Sequence, residues 1–171
     1  TSNVKLIGTG QHKELLEQAL SHFGQNLDQN LELMGKGNGL SGLAGMIVEQ
    51  VGEILRENKP KLLVVQGDTT SAAMAAVAAF YEQIPVLHNE AGLRSYDLQN
   101  PYPEEANRKW ISAIADFHFA PTNRARDALL NESVPSEKIS VVGNPGIDSQ
   151  LWTLGQPLQS DILNQVNSVV R

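Results

Sequence analysis

The sequence predicts a doubly wound α/β fold, an open parallel sheet flanked by helices, and three observations predict it. Apolar runs of strand length alternate with segments of helical periodicity along the chain. Several of those runs stop at Gly or Pro, where a strand must turn. The connecting segments are long enough to be crossover helices, which implies parallel βαβ units of right-handed sense.

Each element can be justified in order. Residues 4–7 form a short apolar run that closes on Gly8-Thr9-Gly10. Residues 12–23 place Leu15, Leu16, Ala19, Leu20 and Phe23 on one helical face. Residues 40–58 repeat that pattern more loosely and stop at Pro60. KLLVVQ, residues 61–66, reads as a buried strand ended by Gly67. Residues 69–81 are mostly Ala, a helix slim enough to lie close to a sheet. A strand is expected at 85–88, a helix from Pro103, a strand at 117–120, a helix at 125–130 and a strand at 139–142 before Gly143. Residues 1–150 thus read as one domain, and the polar tail 151–171 as a helical lead into a further part.

Composition narrows the function. With 171 residues the chain suits one domain with a real core. Its net charge of -6, without any Lys/Arg block, argues against a nucleic-acid partner. Cysteine is absent, which removes disulfides, thiolate nucleophiles and Cys-based zinc sites, and fits a cytoplasmic location. The longest uncharged apolar run, 69–81, falls short of the roughly 20 residues that span a bilayer. No membrane association and no secretory leader are expected; the triplet Asn131-Glu132-Ser133 is read as a chance glycosylation match.

Ligands of open α/β sheets bind at the carboxyl ends of the strands. Asp68 lies just past the strand at 61–66 and Glu90 just past that at 85–88. Neighbouring strands stand about 4.8 Å apart, so both carboxylates would face one crevice. Taken alone, Gly67-Asp68-Thr69-Thr70 is equally a turn plus helix cap, and Glu90 equally a loop carboxylate. Their joint position favours an acid and base pair.

Residues 88–110 then hold four carboxylates and three cations. Pro103 suits a first helical turn, with Glu104 and Glu105 at the positive end of the dipole. Glu104 and Arg108 are four apart, a spacing that by itself favours a surface ion pair worth about 0.3–0.5 kcal/mol. Arg94 and Asp97 share that ambiguity. Thr9-Gly10-Gln11-His12 is a plausible anion seat at a helix start, although neither G-x-G-x-x-G nor a Walker sequence is present. His118, inside a strand, reads as a satisfied core histidine.

The strings TGQH, VVQGDTTS, HNEAGLRS, PYPEEANRKW, HFAPT and GNPGID occur in the order and spacing of the non-hydrolysing UDP-N-acetylglucosamine 2-epimerases, and the resemblance covers nearly the whole chain. It implies the Rossmann-like amino-terminal half, less its first strand, of a glycosyltransferase-B-like two-domain enzyme. The absent carboxy-terminal domain would bind most of the UDP. The resemblance implies functional roles for Asp68, Glu90, Glu104 and Arg108, and so overrides the surface-pair reading of the last two. The implied reaction interconverts UDP-N-acetylglucosamine and UDP-N-acetylmannosamine by eliminating and re-adding UDP, for surface polysaccharide precursors. The carboxylates are candidates for proton transfer and Arg108 for charge stabilisation or orientation. The resemblance further implies UDP-sugar binding, substrate or regulatory, at Gln11, His12 and Arg94, with Lys36 the cation of the loop 35–38. It also implies a homodimer, no cofactor and no metal, and leaves this chain alone expected to be inactive.

Departures from the family pattern are Asn89 in place of Val, and Asn144-Pro145-Gly146 in place of Asn-Thr-Val. Glu90-Ala91-Gly92 favours the non-hydrolysing branch over relatives with a His-Gly-Gly-Glu type string. The alternatives carried forward are a hydrolysing epimerase, a glycosyltransferase half-domain and a non-catalytic UDP-sugar binding module.

Overall fold

A computed structural model describes residues 4–10, 13–33, 35–36 and 39–156. In chain order it contains β1 (Ile7–Gly8), α1 (Lys13–His22), β2 (Gln29–Asn30), α2 (Gly39–Asn58), β3 (Leu63–Gln66) and α3 (Thr70–Tyr81). There follow β4 (Val86–Asn89), α4 (Glu104–Ile114), β5 (Phe117–Ala120), α5 (Asn123–Asn131), a 3-10 turn at Ser136–Lys138, β6 (Ile139–Val141) and α6 (Pro145–Leu154).

Four strands form one parallel sheet in the order β3-β4-β5-β6. Sequence neighbours are therefore spatial neighbours, the simplest outcome of successive right-handed crossovers. Alternation along the strands sends Val65, Val86, His88, His118 and Ala120 to one buried face. Helices α2 and α3 pack there through Ile47, Val51, Leu55, Ala72, Ala73 and Ala76. Ala-rich α3 can approach so closely because it has little side chain to place. The opposite face is far more open, with Val64 and Phe117 59% and 48% exposed.

The strand expected at 61–66 begins pairing only at Leu63, whose N–H donates to the Pro85 carbonyl. Pro85 has no N–H to return, so β4 starts one residue later. The strand expected at 4–7 shrinks to Ile7–Gly8 because Asp28 occupies the backbone of Leu6: the Leu6 N–H donates to Asp28 Oδ2 at 2.7 Å, and the Asp28 N–H donates back to the Leu6 carbonyl. β1 pairs in parallel with β2, a strand of two polar residues that no apolar run announced.

This small sheet is tied to the larger one by side chains: Thr9 Oγ1 lies 2.9 Å from Ser71 Oγ, and Lys5 donates to Asn58. Asn144 caps α6 by accepting from the Gly146 N–H at 2.8 Å, with Pro145 at the first helical position, so the departure at 144–146 is a helix start. α6 runs through position 150 without interruption. The rest of the tail, 157–171, lies outside the described residues. Among the described residues no helix is long and apolar enough to cross a membrane.

Candidate active site

The site begins where β3 and β4 end. Gln66 stands opposite Asn89, so both chains leave the sheet at one edge. Gly67 turns with φ +70, a conformation that favours glycine, and its N–H donates to the Asn89 carbonyl at 3.1 Å. Asp68 follows the turn. Glu90, the first residue past β4, has φ 65, a left-handed backbone that costs a non-glycine residue about 1–2 kcal/mol. Such conformations persist where the surroundings enforce them, often at functional sites. The Glu90 carboxylate reaches over the turn: a β-carbon on Gly67 would sit 3.7 Å from its Oε2. Asp68 and Glu90 thus share the crevice that strand spacing anticipates.

Helix α4 forms the third wall. Arg108 donates to Asp68 Oδ2 from Nε at 2.8 Å, and its Nη2 stands 2.6 Å from the same oxygen as an ion pair. Asn107, buried, donates Nδ2–H to the Asp68 carbonyl at 2.8 Å. From the strand side, His88 Nε2 lies 2.8 Å from the Gly67 carbonyl and must donate to it, since a carbonyl only accepts. The Gly67-Asp68 turn is therefore held from both sides. Pro103 is the N-cap of α4, one position before the first turn anticipated for it.

Glu104 and Glu105 diverge at this point. Glu104 is half-buried and its side chain makes no hydrogen bond or ion pair among the described residues. Arg108 bonds instead to Glu105, at 3.0 Å between Nη1 and Oε2, so its helical partner is three residues away rather than four. Glu105 is completely buried and also accepts the N–H groups of Ser95 and Tyr96, each at 3.0 Å. Burial opposes its charge, but those two N–H groups and the Arg108 guanidinium outweigh it and hold the carboxyl below the usual carboxylate range. Arg108 is likewise desolvated, yet its bonds to Asp68 and Glu105 keep it charged.

Arg94 is tied into the fold. Its side chain is 1% exposed; Nε and Nη2 clamp Glu132 at 2.9 and 2.6 Å, Nη2 reaches Ser112 Oγ, and Nη1 the Leu93 carbonyl. The clamp holds the Glu132 carboxyl below its ordinary range. A cavity of about 250 Å³ opens between these arginines, lined by Arg94, Ser95, Tyr96, Arg108, Thr122 and Arg124. That is less than the roughly 300–1,000 Å³ that encloses a whole ligand, and leaves room for part of a larger one. Gly92 makes the close packing beside it possible: it has φ +86, and a β-carbon there would lie 2.2 Å from the Ala125 carbonyl oxygen.

His88 and His118 stand side by side on β4 and β5, both buried. Burial lowers each pKa to about 4, so both are neutral at pH 7. His118 is a core histidine, as its strand position implies, but not a satisfied one. Neither ring nitrogen makes a hydrogen bond of ordinary geometry among the described residues, and the nearby Ala115 backbone offsets its burial only in part.

Gln11 and His12 lie outside the described residues, as do residues 37–38 beside the exposed Lys36. Among the described residues no cluster of three His, Asp or Glu side chains could hold a metal. Sequence reasoning missed Glu105, Asn107 and His88 as members of the site. The available signal for Glu105 was its three-residue spacing to Arg108. One heptad beyond Glu105 stands Ser112, a polar residue, so no apolar stripe marked that face as buried.

The fold agrees with that of similar proteins. The family model described as UDP-N-acetylglucosamine 2-epimerase matches residues 1–169. The chain is 45% identical over 159 residues to the UDP-N-acetylglucosamine 2-epimerase of Salmonella typhimurium, which covers 93% of this chain but 42% of the relative. The crystal structure of UDP-GlcNAc 2-epimerase from Neisseria meningitidis bound to UDP-GlcNAc superposes with a TM-score of 0.90 at 41% identity, over 95% of this chain and 44% of that one. The Methanocaldococcus jannaschii enzyme in complex with UDP-GlcNAc and UDP gives 0.86 at 31% identity, over 98% and 47%. The chain thus spans less than half the length of these relatives, with the Rossmann-like, glycosyltransferase-B-like α/β fold they share. It belongs to the UDP-N-acetylglucosamine 2-epimerase family.

Proposed function

We propose that this chain is the amino-terminal part of a non-hydrolysing UDP-N-acetylglucosamine 2-epimerase that interconverts UDP-N-acetylglucosamine and UDP-N-acetylmannosamine for surface polysaccharide synthesis. The observation that carries the reading is the convergence of Asp68, Glu90 and the start of α4, with Arg108, at the carboxyl ends of β3 and β4 in a chain of this family.

In the proposed reaction a carboxylate takes the proton from C2 of the sugar. The C–H electron pair forms the C1–C2 double bond, the C1–O bond breaks, and UDP departs with its electrons. The 2-acetamidoglucal then regains UDP at C1 while a carboxyl group returns a proton to the other face of C2. Such chemistry needs an acid and a base on opposite faces and a cation near the diphosphate. Among the described residues Glu90 and Glu104 have no side-chain partner, which supports their carboxyl groups as the ones that exchange protons with a bound sugar. Asp68, held through one oxygen by Arg108, is the third proton-transfer candidate, and Arg108 orients it or stabilises departing charge. Arg94 shapes the cavity wall from within the fold. Gln11 and His12 belong to this proposal as UDP-sugar contacts, as do a second domain carrying most of the UDP pocket, a cytoplasmic homodimer, and inactivity of the chain by itself.

The test is proton NMR of UDP-N-acetylglucosamine in deuterated water with the full-length protein, and with this chain alongside. Expected are loss of the C2 proton signal and growth of UDP-N-acetylmannosamine with the full-length protein, and no turnover with the chain alone. Free N-acetylmannosamine and UDP would replace this reading with the hydrolysing one. An untouched C2 would replace it with transfer or binding.

A further inference from the structure

We propose that Glu105 is a positioning residue of the crevice: its buried carboxylate fixes the Ser95-Tyr96 turn and Arg108 together, and through Arg108 sets where the Asp68 carboxylate stands. The inference rests on the crevice being the epimerase site.

Glu105 has no exposed surface, so a ligand in the crevice does not reach it. All its bonding is directed inward. Oε1 accepts the Tyr96 N–H, while Oε2 accepts both the Ser95 N–H and Arg108 Nη1. Tyr96 is held at φ 65, a backbone that needs such an anchor. Arg108 is a rigid planar fork, so fixing one edge fixes the other. Its Nη1 edge rests on Glu105, and its Nε/Nη2 edge meets Asp68 Oδ2 alone, with a hydrogen bond from Nε and an ion-pair contact from Nη2. Asn107, from the same helix, independently fixes the Asp68 backbone. The charge of Glu105 matters as well as its shape. Two carboxylates share one guanidinium, and with Glu105 neutral the cation would belong wholly to Asp68.

The experiment compares the full-length protein with Glu105→Gln and Glu105→Asp, following C2 exchange against substrate concentration. In Glu105→Gln the expected result is a kcat at least about tenfold lower with a KM within about threefold, the split expected when a reacting group is misplaced rather than the substrate lost. Glu105→Asp, which keeps the charge but is one methylene short, should lose only part of kcat. A folded Glu105→Gln protein with unchanged kcat would overturn the proposal, as would a loss confined to thermal stability.

If the Gln variant does not fold, the Asp variant and amide exchange of the unsubstituted protein decide. Slow exchange at Ser95 and Tyr96 together with the partial loss of kcat is expected. Fast exchange at both, or an Asp variant with normal kcat, overturns it. An unsubstituted protein that leaves C2 untouched refutes the epimerase reading instead, so the two failures are distinguishable.

Discussion

The carboxylates on the floor of the site and those on its rim stand in opposite circumstances. On the floor, Glu105 and Glu132 are each bonded to an arginine and held below the usual carboxylate range. On the rim, Glu90 and Glu104 have no protein partner among the described residues. Floor carboxylates buy geometry, since a carboxylate paired to a largely buried guanidinium locks the backbone and the fork it touches. Rim carboxylates retain lone pairs for something that is not protein. Asp68 lies between the two groups, with one oxygen bound to Arg108.

The largest expected effect breaks the rim. Glu90→Gln and Glu104→Gln, each in the full-length protein, should lower turnover about 10²–10⁴-fold, the range for loss of a proton-transfer group. Thermal denaturation should show little change, because neither carboxylate bonds to the fold among the described residues. Turnover near that of the unsubstituted protein in both variants, measured by C2 exchange, would reverse the assignment of rim and floor.

The rim also rests on neutral imidazoles, which gives the next effect. With a folded pKa of about 4 for His88 and His118 against an ordinary 6.5, the unfolded chain binds more protons between those values. Stability is therefore complete above about pH 6.5 and is lost as pH falls towards 4, by roughly 2 kcal/mol per ring at pH 5. Glu105 and Glu132, with lowered pKa values, add a second loss only below the ordinary carboxylate range. Denaturant titrations at pH 7 and 5 measure the first stage separately from the second. His118→Leu should flatten its slope, since this ring has no bond to forfeit. An unchanged slope would show that His118 does not titrate in that window.

Arg94 sharpens the floor side. Arg94→Ala leaves Glu132 without its guanidinium and Ser112 without its donor, at a cost of about 3 kcal/mol, the lower end for a buried pair because Glu132 is partly exposed. Urea unfolding checks the loss. Per folded molecule, C2 exchange should fall far less than in the rim variants.

Much of this was legible in the sequence, for identifiable reasons. Strands β3 to β6 are legible because short apolar-rich runs alternate with helical segments even though one face of the sheet is open, and the shared crevice of Asp68 and Glu90 follows once β3 and β4 are neighbours. β2 was illegible because two polar residues pair through backbone alone. Glu105 was illegible because helical phase is read from apolar residues, and its inward neighbours are Ser112, Arg108 and the backbone of a loop. The strings quoted for the family point to the candidate site, yet the glutamate bonded to Arg108 there is the less conspicuous of two adjacent ones.

The smallest expected effect tests whether burial, rather than distance, separates floor from surface. Arg56 and Glu82 approach to 2.6 Å, the same separation as Arg94 and Glu132. The Arg56 side chain, however, is 57% exposed, so water and salt screen the pair and little desolvation has occurred. Arg56→Ala should cost at most about 0.5 kcal/mol in urea unfolding at low salt, and less than that in 1 M salt. A cost near that of Arg94→Ala would mean that contact distance alone fixes an ion pair's worth. The floor of the crevice would then hold its geometry no more firmly than the surface does, and the distinction between anchoring and reacting carboxylates would have to rest on kinetics alone.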